Sequence, residues 1–304
     1  MTASVPIVTD LTCFDLEVTD QVAHLRMIRP ERANSMIPAF WRELPAIITR
    51  ISDEAAARVL VLSAEGRHFC SGMDTEVFTA PGGLADAHSG DDPAAGSDGS
   101  PRRRRNQARR AESFRHMAMG AQEAFTALER ARLPIIAAIQ GACVGGGVDL
   151  VTAADLRYAT EDAYFCIHEI NIGMTADVGT LQRLPRLIPP GVAAELAYTG
   201  RRLPATQAKS VGLVNQVYPD HGTMLEAVFA TAREIASKSP LAVWGTKRTM
   251  QYAREHSIAD GLEHIATWNA AMLDPADMSE AFTAQLERRD PVYPDLLPVR
   301  RTFD

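Results

Sequence analysis

No run of about 18 uninterrupted apolar residues occurs in this 304-residue chain, which excludes a membrane-spanning helix on sequence grounds. The opening Met1-Thr2-Ala3-Ser4-Val5-Pro6 has neither the basic stretch nor the apolar core of a secretory leader, and an unexported protein is expected. The end, Arg301-Thr302-Phe303-Asp304, carries no Ser-Lys-Leu signal and no lipidation box. Cysteine is scarce. Cys13, Cys70, Cys143 and Cys166 form no Cys-x-x-Cys pair and each sits in or beside an apolar segment. That argues against a disulfide framework or a zinc site and predicts reduced core thiols in a cytoplasmic setting. A positive excess is missing too, because the formal net charge is −7. General nucleic-acid binding is therefore not expected, since phosphate backbones demand net or local positive charge.

Against these absences, 46% apolar and 23% charged residues supply a sizeable core. Periodicity predicts an α/β protein. A hairpin is expected over Phe14 to Val18 and Val22 to Met27, a helix from about Ala39 to Ile51, and a buried strand over Val59 to Ser63. Further strands are expected at Ile135 to Ile139, Leu156 to Ala159 and Tyr164 to Ile167. Beyond Leu181 the pattern turns helical, at Val192 to Thr199, Leu225 to Ser237, Ala242 to Arg254, Ile258 to Met272 and Met278 to Arg288. The expected division is a core over residues 1–200 and a helical region over 201–304. Residues 79–110 read as a mobile surface insert, because Thr79 to Pro101 is rich in Gly, Pro, Ser and Asp and has few large apolar side chains. The insert ends in Arg102 to Arg105, with Arg109 and Arg110 behind. That cluster reads as a solvated basic edge or as a contact for phosphates or an acidic neighbour.

The chemistry concentrates around Gly141-Ala142-Cys143-Val144-Gly145-Gly146-Gly147 and the carboxylates downstream. This glycine turn, between a strand and a helix, matches neither GxGxxG in a dinucleotide setting nor a phosphate-binding GxxxxGK[ST] loop. Glycines at a helix start let a ligand oxygen approach bare amides that favour negative charge. An oxyanion hole fits that description. His68-Phe69-Cys70-Ser71-Gly72-Met73-Asp74 offers a second amide, or else an ordinary tight turn. Asp149 lies just past the glycines, as a capping carboxylate or a reactive one. Glu169 follows the apolar run Tyr164 to Ile167, where hydrophobic surroundings raise a carboxylate pKa and make a usable base. Asp177 stands eight residues on, as an acid or as a helix cap. His168 is expected to point away from Glu169 in an extended stretch.

Taken together these segments resemble the crotonase (enoyl-CoA hydratase/isomerase) superfamily. Within it they are most similar to the dienoyl-CoA isomerases, through Gly145 to Ala153 and Ala176 to Pro185, with further similarity at Arg29 to Arg32, Ala39 to Leu44, Ser237 to Pro240 and Ala266 to Asn269. The resemblance implies a crotonase-like spiral of ββα units with a C-terminal α-helical trimerisation region. Glu169, Asp177 and Asp149 become the catalytic carboxylates, and the amides of Met73 and Gly146 the oxyanion hole. Ser71, Arg32 and Lys247 become contacts for an acyl-CoA substrate. The implied reaction moves a proton from C2 to C6 of a 3,5-dienoyl-CoA, with no metal and no cofactor beyond coenzyme A in the substrate. A homotrimer or dimer of trimers is implied. Hydratases of the superfamily carry Glu at the Asp149 position and Gly at the Asp177 position, which separates this chain from them. An enoyl-CoA hydratase on an unusual acyl group, or a crotonase scaffold binding RNA or protein through Arg102 to Arg110, remain the competing readings.

Overall fold

The computed structural model describes residues 11–79 and 101–300, with residues 78–79 and 101–107 described as backbone only. The N-terminal hairpin pairs β1 (Phe14–Thr19) with β2 (Val22–Met27), turning on Asp20 and Gln21 at φ 50° and 65°. Five further strands follow in register: β3 (Val59–Ala64), β4 (Ile135–Ile139), β5 (Ala142–Val144), β6 (Leu156–Thr160) and β7 (Tyr164–Cys166). Two short strands come later, β8 (Leu203–Pro204) and β9 (Gln216–Tyr218). They assemble into a six-stranded sheet ordered β1-β2-β3-β4-β6-β9, parallel after the first hairpin, and a three-stranded sheet ordered β5-β7-β8.

The larger sheet is covered on both faces, which is why β3 and β4 read as unbroken apolar runs rather than alternations. Leu60 and Leu62 of β3 enter the main core with Phe40, Leu44 and Ile48 of helix α1 (Pro38–Glu54). Val59 and Val61 turn the other way, onto Met224, Val228 and Ala232. The remaining helices are α2 (Thr75–Thr79), α3 (Pro101–Arg130), α4 (Gly146–Thr152), α5 (Thr180–Arg183), α6 (Pro190–Thr199) and α7 (Ala205–Ser210). After them come α8 (His221–Ala236), α9 (Pro240–Ala253), α10 (Ile258–Met272) and α11 (Pro275–Glu287). Helix α8, which carries Met224 and Val228, is the outer cover of the sheet, so the expected division at residue 200 falls inside the core. Strands β8 and β9 join the two sheets after that residue.

Helix α3 begins at Pro101, so residues 101–110 belong to the helix rather than to the expected insert. Residues 80–100 of the expected insert and the side chains of Arg102 to Arg105 lie outside the described residues. All four cysteines are free and buried, as the composition implied. Among the described residues no helix is long and apolar enough to cross a membrane.

Past α11 the chain returns to the spiral. Arg58, whose side chain is only 10% exposed, donates to Asp295 Oδ1 at 2.6 Å, to the Tyr293 carbonyl at 2.6 Å and to the Ala236 carbonyl at 3.0 Å. Arg132 reaches the Leu297 carbonyl at 3.1 Å, and the Val299 amide donates to Asp53 O at 2.7 Å.

Candidate active site

Two backbone segments meet at the glycine turn. Cys70 forms a parallel bridge with Cys143: its amide donates to Ala142 O at 3.0 Å, and the Val144 amide donates to Cys70 O at 2.9 Å. Met73 forms a second bridge with Met36, held by Met36 N to Gly72 O at 2.8 Å and Asp74 N to Met36 O at 3.0 Å. In that pattern the Met73 amide itself is not used. Gly146 is the first residue of α4, and a first-turn amide has no acceptor within its own helix. Among the described residues neither the Met73 nor the Gly146 N–H donates to another protein group.

The glycines are there because backbone and carboxylate come too close for side chains. Gly145 sits at φ 55°, ψ −123°, a conformation that L-residues rarely adopt. A Cβ at that position would stand 3.3 Å from Glu169 Oε1 and 3.8 Å from the Gly72 Cα. A Cβ on Gly72 would stand 3.6 Å from the Gly146 nitrogen, and one on Gly146 would meet Met36 Sδ at 2.9 Å. The Glu169 carboxylate, the glycine turn and the Gly72-Met73 segment therefore face one another.

Glu169 does not end a strand. Strand β7 stops at Cys166 and Glu169 opens a 3₁₀ turn over Glu169–Ile172. His168 precedes that turn in helical conformation (φ −86°, ψ −17°), so strand alternation does not govern where it points. It is exposed, with its Nδ1 3.2 Å from the Asn171 amide nitrogen. Burial pushes the Glu169 carboxyl up to about 7, and the nearby charges of Asp149 and Asp177 push in the same direction. Its Oε2 is buried without a hydrogen-bond partner.

Asp149 is fully buried and caps no part of its own helix; α4 is capped by Gly145 without a side-chain bond. Its Oδ1 instead accepts from the Thr180 amide at 2.6 Å, the first residue of α5, while Oδ2 has no partner. Desolvation raises this carboxyl to about 6 despite that hydrogen bond. Asp177 is half-buried, and desolvation raises its pKa as well. The capping alternative for Asp177 is not realised, because Gly179 precedes α5 and contributes no side-chain bond. Three carboxylates with upward-shifted pKa values thus share one electrostatic neighbourhood, and groups so perturbed concentrate where proton transfer occurs.

The substrate contacts divide. Ser71 is exposed, with its amide on Ala33 O at 3.0 Å. Arg32 is half-exposed and already ion-paired with Glu76 at 2.7 Å and, more loosely, with Asp74 at 3.9 Å. Lys247 overturns expectation: it is 6% exposed and its ammonium donates to the Leu128 carbonyl at 2.8 Å and the Leu133 carbonyl at 2.9 Å. Asp155 completes its shell at 2.8 Å. A cation desolvated and saturated in this way is a strut of the core and cannot reach a coenzyme A phosphate. Two sizeable cavities, of about 600 Å³ beside Trp268 and about 420 Å³ beside Arg248, lie outside the carboxylate cluster. Among the described residues no group of His, Cys, Asp or Glu is arranged to hold a metal ion.

Sequence reasoning missed Gln122, Thr180 and Arg183. Gln122 Nε2 donates to the Asp177 carbonyl at 2.7 Å, and Arg183 ion-pairs with Glu129 at 2.7 Å. Thr180 and Arg183 stood within the motif from Ala176 to Pro185, but nothing in a linear motif says that Asp149 and helix α3 grip it.

A family model described as enoyl-CoA hydratase/isomerase matches residues 17–92 and 93–296. The mitochondrial Δ(3,5)-Δ(2,4)-dienoyl-CoA isomerase of Rattus norvegicus is 40% identical over 292 residues, covering 93% of this chain and 83% of the relative. The peroxisomal protein of that name from Arabidopsis thaliana is 40% identical over 275 residues, covering 90% and 93%. Among solved structures, an enoyl-CoA hydratase from Bacillus anthracis superposes with a TM-score of 0.77 at 29% identity, over 95% of this chain and all of that one. With the glycine turn and the carboxylates in place on this scaffold, the chain belongs to the enoyl-CoA hydratase/isomerase, or crotonase, family.

Proposed function

We propose that the protein isomerises a 3,5-dienoyl-CoA to the 2,4-dienoyl-CoA in fatty-acid degradation. The carrying observation is that the Glu169 carboxylate, raised by burial, faces the glycine turn and its unused amides, while Asp177, raised by burial too, lies close enough for its charge to act on Glu169. Glu169 removes a proton from C2. The electrons of that C–H bond move into the conjugated thioester, whose oxygen becomes the dienolate oxyanion and accepts from the Met73 and Gly146 amides. Protonated Asp177 then delivers a proton to C6, and the double bonds settle at C2 and C4. Each turnover leaves Glu169 protonated and Asp177 ionised, and exchange with solvent resets them. Preorganised donors of this kind are worth about 10²–10³ in rate each. Asp149, tied to Thr180, is an auxiliary carboxylate whose charge adds to the burial that raises the Glu169 pKa.

The reaction so written needs no metal and no redox cofactor; coenzyme A arrives as part of the substrate. Exposed Ser71 precedes the Gly72-Met73 segment and stays a candidate substrate contact; Arg32 must exchange Glu76 for a phosphate if it is to serve the substrate. We further propose assembly into a homotrimer or a dimer of trimers through the C-terminal helices. Their large apolar residues Ile258 (83%), Leu262 (64%), Phe282 (62%) and Leu286 (86%) are exposed in the single chain. With its thiols reduced, the protein is proposed to act in the cytoplasm, whereas the rat and Arabidopsis relatives are named mitochondrial and peroxisomal.

Hydration of an enoyl-CoA is the second reading, favoured by the structural likeness to enoyl-CoA hydratases. Ultraviolet absorbance separates the two: a 3,5-dienoyl-CoA gains the conjugated-diene signal, whereas a 2-enoyl-CoA loses its enoyl signal on hydration. Asp177→Asn should abolish the first and largely spare the second. Loss of the enoyl signal alone overturns the isomerase reading.

A further inference from the structure

The proposed reaction has two proton-transfer steps, and the chain carries their residues on different backbone segments. The base Glu169 and the two amides belong to residues 72–73, 145–146 and 169. The acid Asp177 belongs to a short loop between Ala176 and α5, which has Gly179 at φ 132° and no side-chain cap. Left to itself such a loop has little to fix it. Here it is held at successive backbone atoms. Gln122 Nε2 of α3 donates to the Asp177 carbonyl at 2.7 Å, and Arg183 Nη1 donates to the Val178 carbonyl at 3.3 Å. Asp149 accepts from the Thr180 amide at 2.6 Å. The Arg183 guanidinium lies across Gly179 where a Cβ would stand, so only glycine lets it reach the loop. Its other nitrogen is anchored on α3, by Glu129 Oε2 at 2.7 Å and Thr126 Oγ1 at 3.4 Å. With side chains 14% and 24% exposed, Arg183 and Glu129 are shielded from solvent, so either charge would be poorly solvated without the other and the pair stays together.

We propose that Gln122, Glu129 and Arg183 are positioning residues that hold Asp177 at the distal end of the acyl chain, so that helix α3 sets where the second proton lands. The proposal rests on the assignment of Glu169 as base and Asp177 as acid. None of the three residues contacts Glu169, Met73 or the glycine turn through a hydrogen bond or ion pair among the described residues. Loosening the loop therefore spares removal of the C2 proton and slows delivery at C6. A dienolate that waits for its second proton returns to C2, and in D₂O it does so with deuterium.

The experiment follows diene formation by absorbance and C2 deuterium by mass spectrometry, for a 3,5-dienoyl-CoA in D₂O. Gln122→Met and Arg183→Met each remove a donor at similar length, and Arg183→Lys restores one. For the two methionine variants kcat for diene formation should fall about tenfold, as expected when a reacting group is displaced by a fraction of an ångström. KM should hold, and deuterium should enter C2 no more slowly than in the unaltered protein. Arg183→Lys should recover part of kcat. Should Arg183→Met not fold, Gln122→Met, at an exposed position, still tests the same loop. An unchanged kcat, or C2 exchange that falls in step with kcat, overturns the positioning role. Failure of the underlying assignment looks different: Asp177→Asn would keep the diene shift, or Glu169→Gln would keep C2 exchange.

Discussion

Adding a single methyl group at Gly146 tests the proposed oxyanion site where the structure is most crowded. The new Cβ of Gly146→Ala would stand 2.9 Å from Met36 Sδ and 3.5 Å from its Cε, and Met36 is fully buried. Ordinary contact begins at 3.4 Å, so the two groups must part by about 0.5 Å, 3.4 minus 2.9. Overpacking of this sort costs about 1–3 kcal/mol of stability. If half of that displacement falls on the Gly146 backbone, its amide is drawn about 0.25 Å off the oxyanion position without being lost, and the diene shift slows about tenfold, or about 1.4 kcal/mol in barrier. The second substitution Met36→Ala empties the contested space. The double variant Gly146→Ala with Met36→Ala should regain most of kcat while losing further stability to the cavity it opens. Activity and stability then move in opposite directions, which no general weakening of the fold produces. Steady-state absorbance assays and urea unfolding of the three variants supply both readouts. Normal turnover by Gly146→Ala, alongside the expected loss of stability, would refute the Gly146 amide as an oxyanion donor.

Turnover needs Glu169, its carboxyl raised from 4.5 to about 7, ionised while Asp177 is protonated, so kcat/KM should trace a bell with pH, one limb set by Glu169 and the other by Asp177. The same shift weakens the fold: between pH 4.5 and 7 the folded chain binds the extra proton, so this contribution to stability falls as pH rises and is fully lost above 7. Glu169→Gln should therefore stabilise the protein at pH 8 by up to about 3 kcal/mol, fade to no effect near pH 4, and abolish turnover, as thermal unfolding at the two pH values and the diene assay would show. Lys247→Met leaves Asp155, which keeps the Ile135 amide, without its cation and two carbonyls without their donor, so it should cost about 3–5 kcal/mol in denaturant unfolding yet leave the KM of the surviving folded protein unchanged; a raised KM would restore Lys247 as a substrate contact. Leu262→Asp with Phe282→Asp places charges on the exposed apolar face of α10 and α11, and light scattering should then find monomers in place of trimers.

What was readable in the chain follows from the range of the forces involved. The buried strands at Val59 and Ile135 announced themselves because coverage on both faces demands unbroken apolar runs. Helix α10 was legible to the residue, since Ser257 and Asp260 form a reciprocal capping box at its start. Strands β5, β8 and β9 were not, because two or three residues carry no periodicity and their pairing is decided by partners far away. Helix α3 begins earlier than its apolar pattern, since its first turns are Arg-rich and show no buried stripe in sequence. The glycine turn and Glu169 were visible as motif, and the structure sets them together. Lys247 was misread because a lysine in a helix looks the same from sequence whether it faces solvent or three buried acceptors. Gln122 left no trace at all: its bond to the Asp177 carbonyl joins residues 55 positions apart.

The return of residues 293–299 to the spiral has a consequence for assembly of the fold itself. Arg58 meets Tyr293 and Asp295 across 235 and 237 positions of chain, and Arg132 meets Leu297 across 165. Contacts that close loops of this length lose the most chain entropy and form late in folding. Until they form, the Arg58 guanidinium keeps only its bond to the Ala236 carbonyl. A chain ending before Tyr293 would thus leave a well-shielded guanidinium just before β3 short of two of its three acceptors, an imbalance that only the last stretch of polypeptide removes.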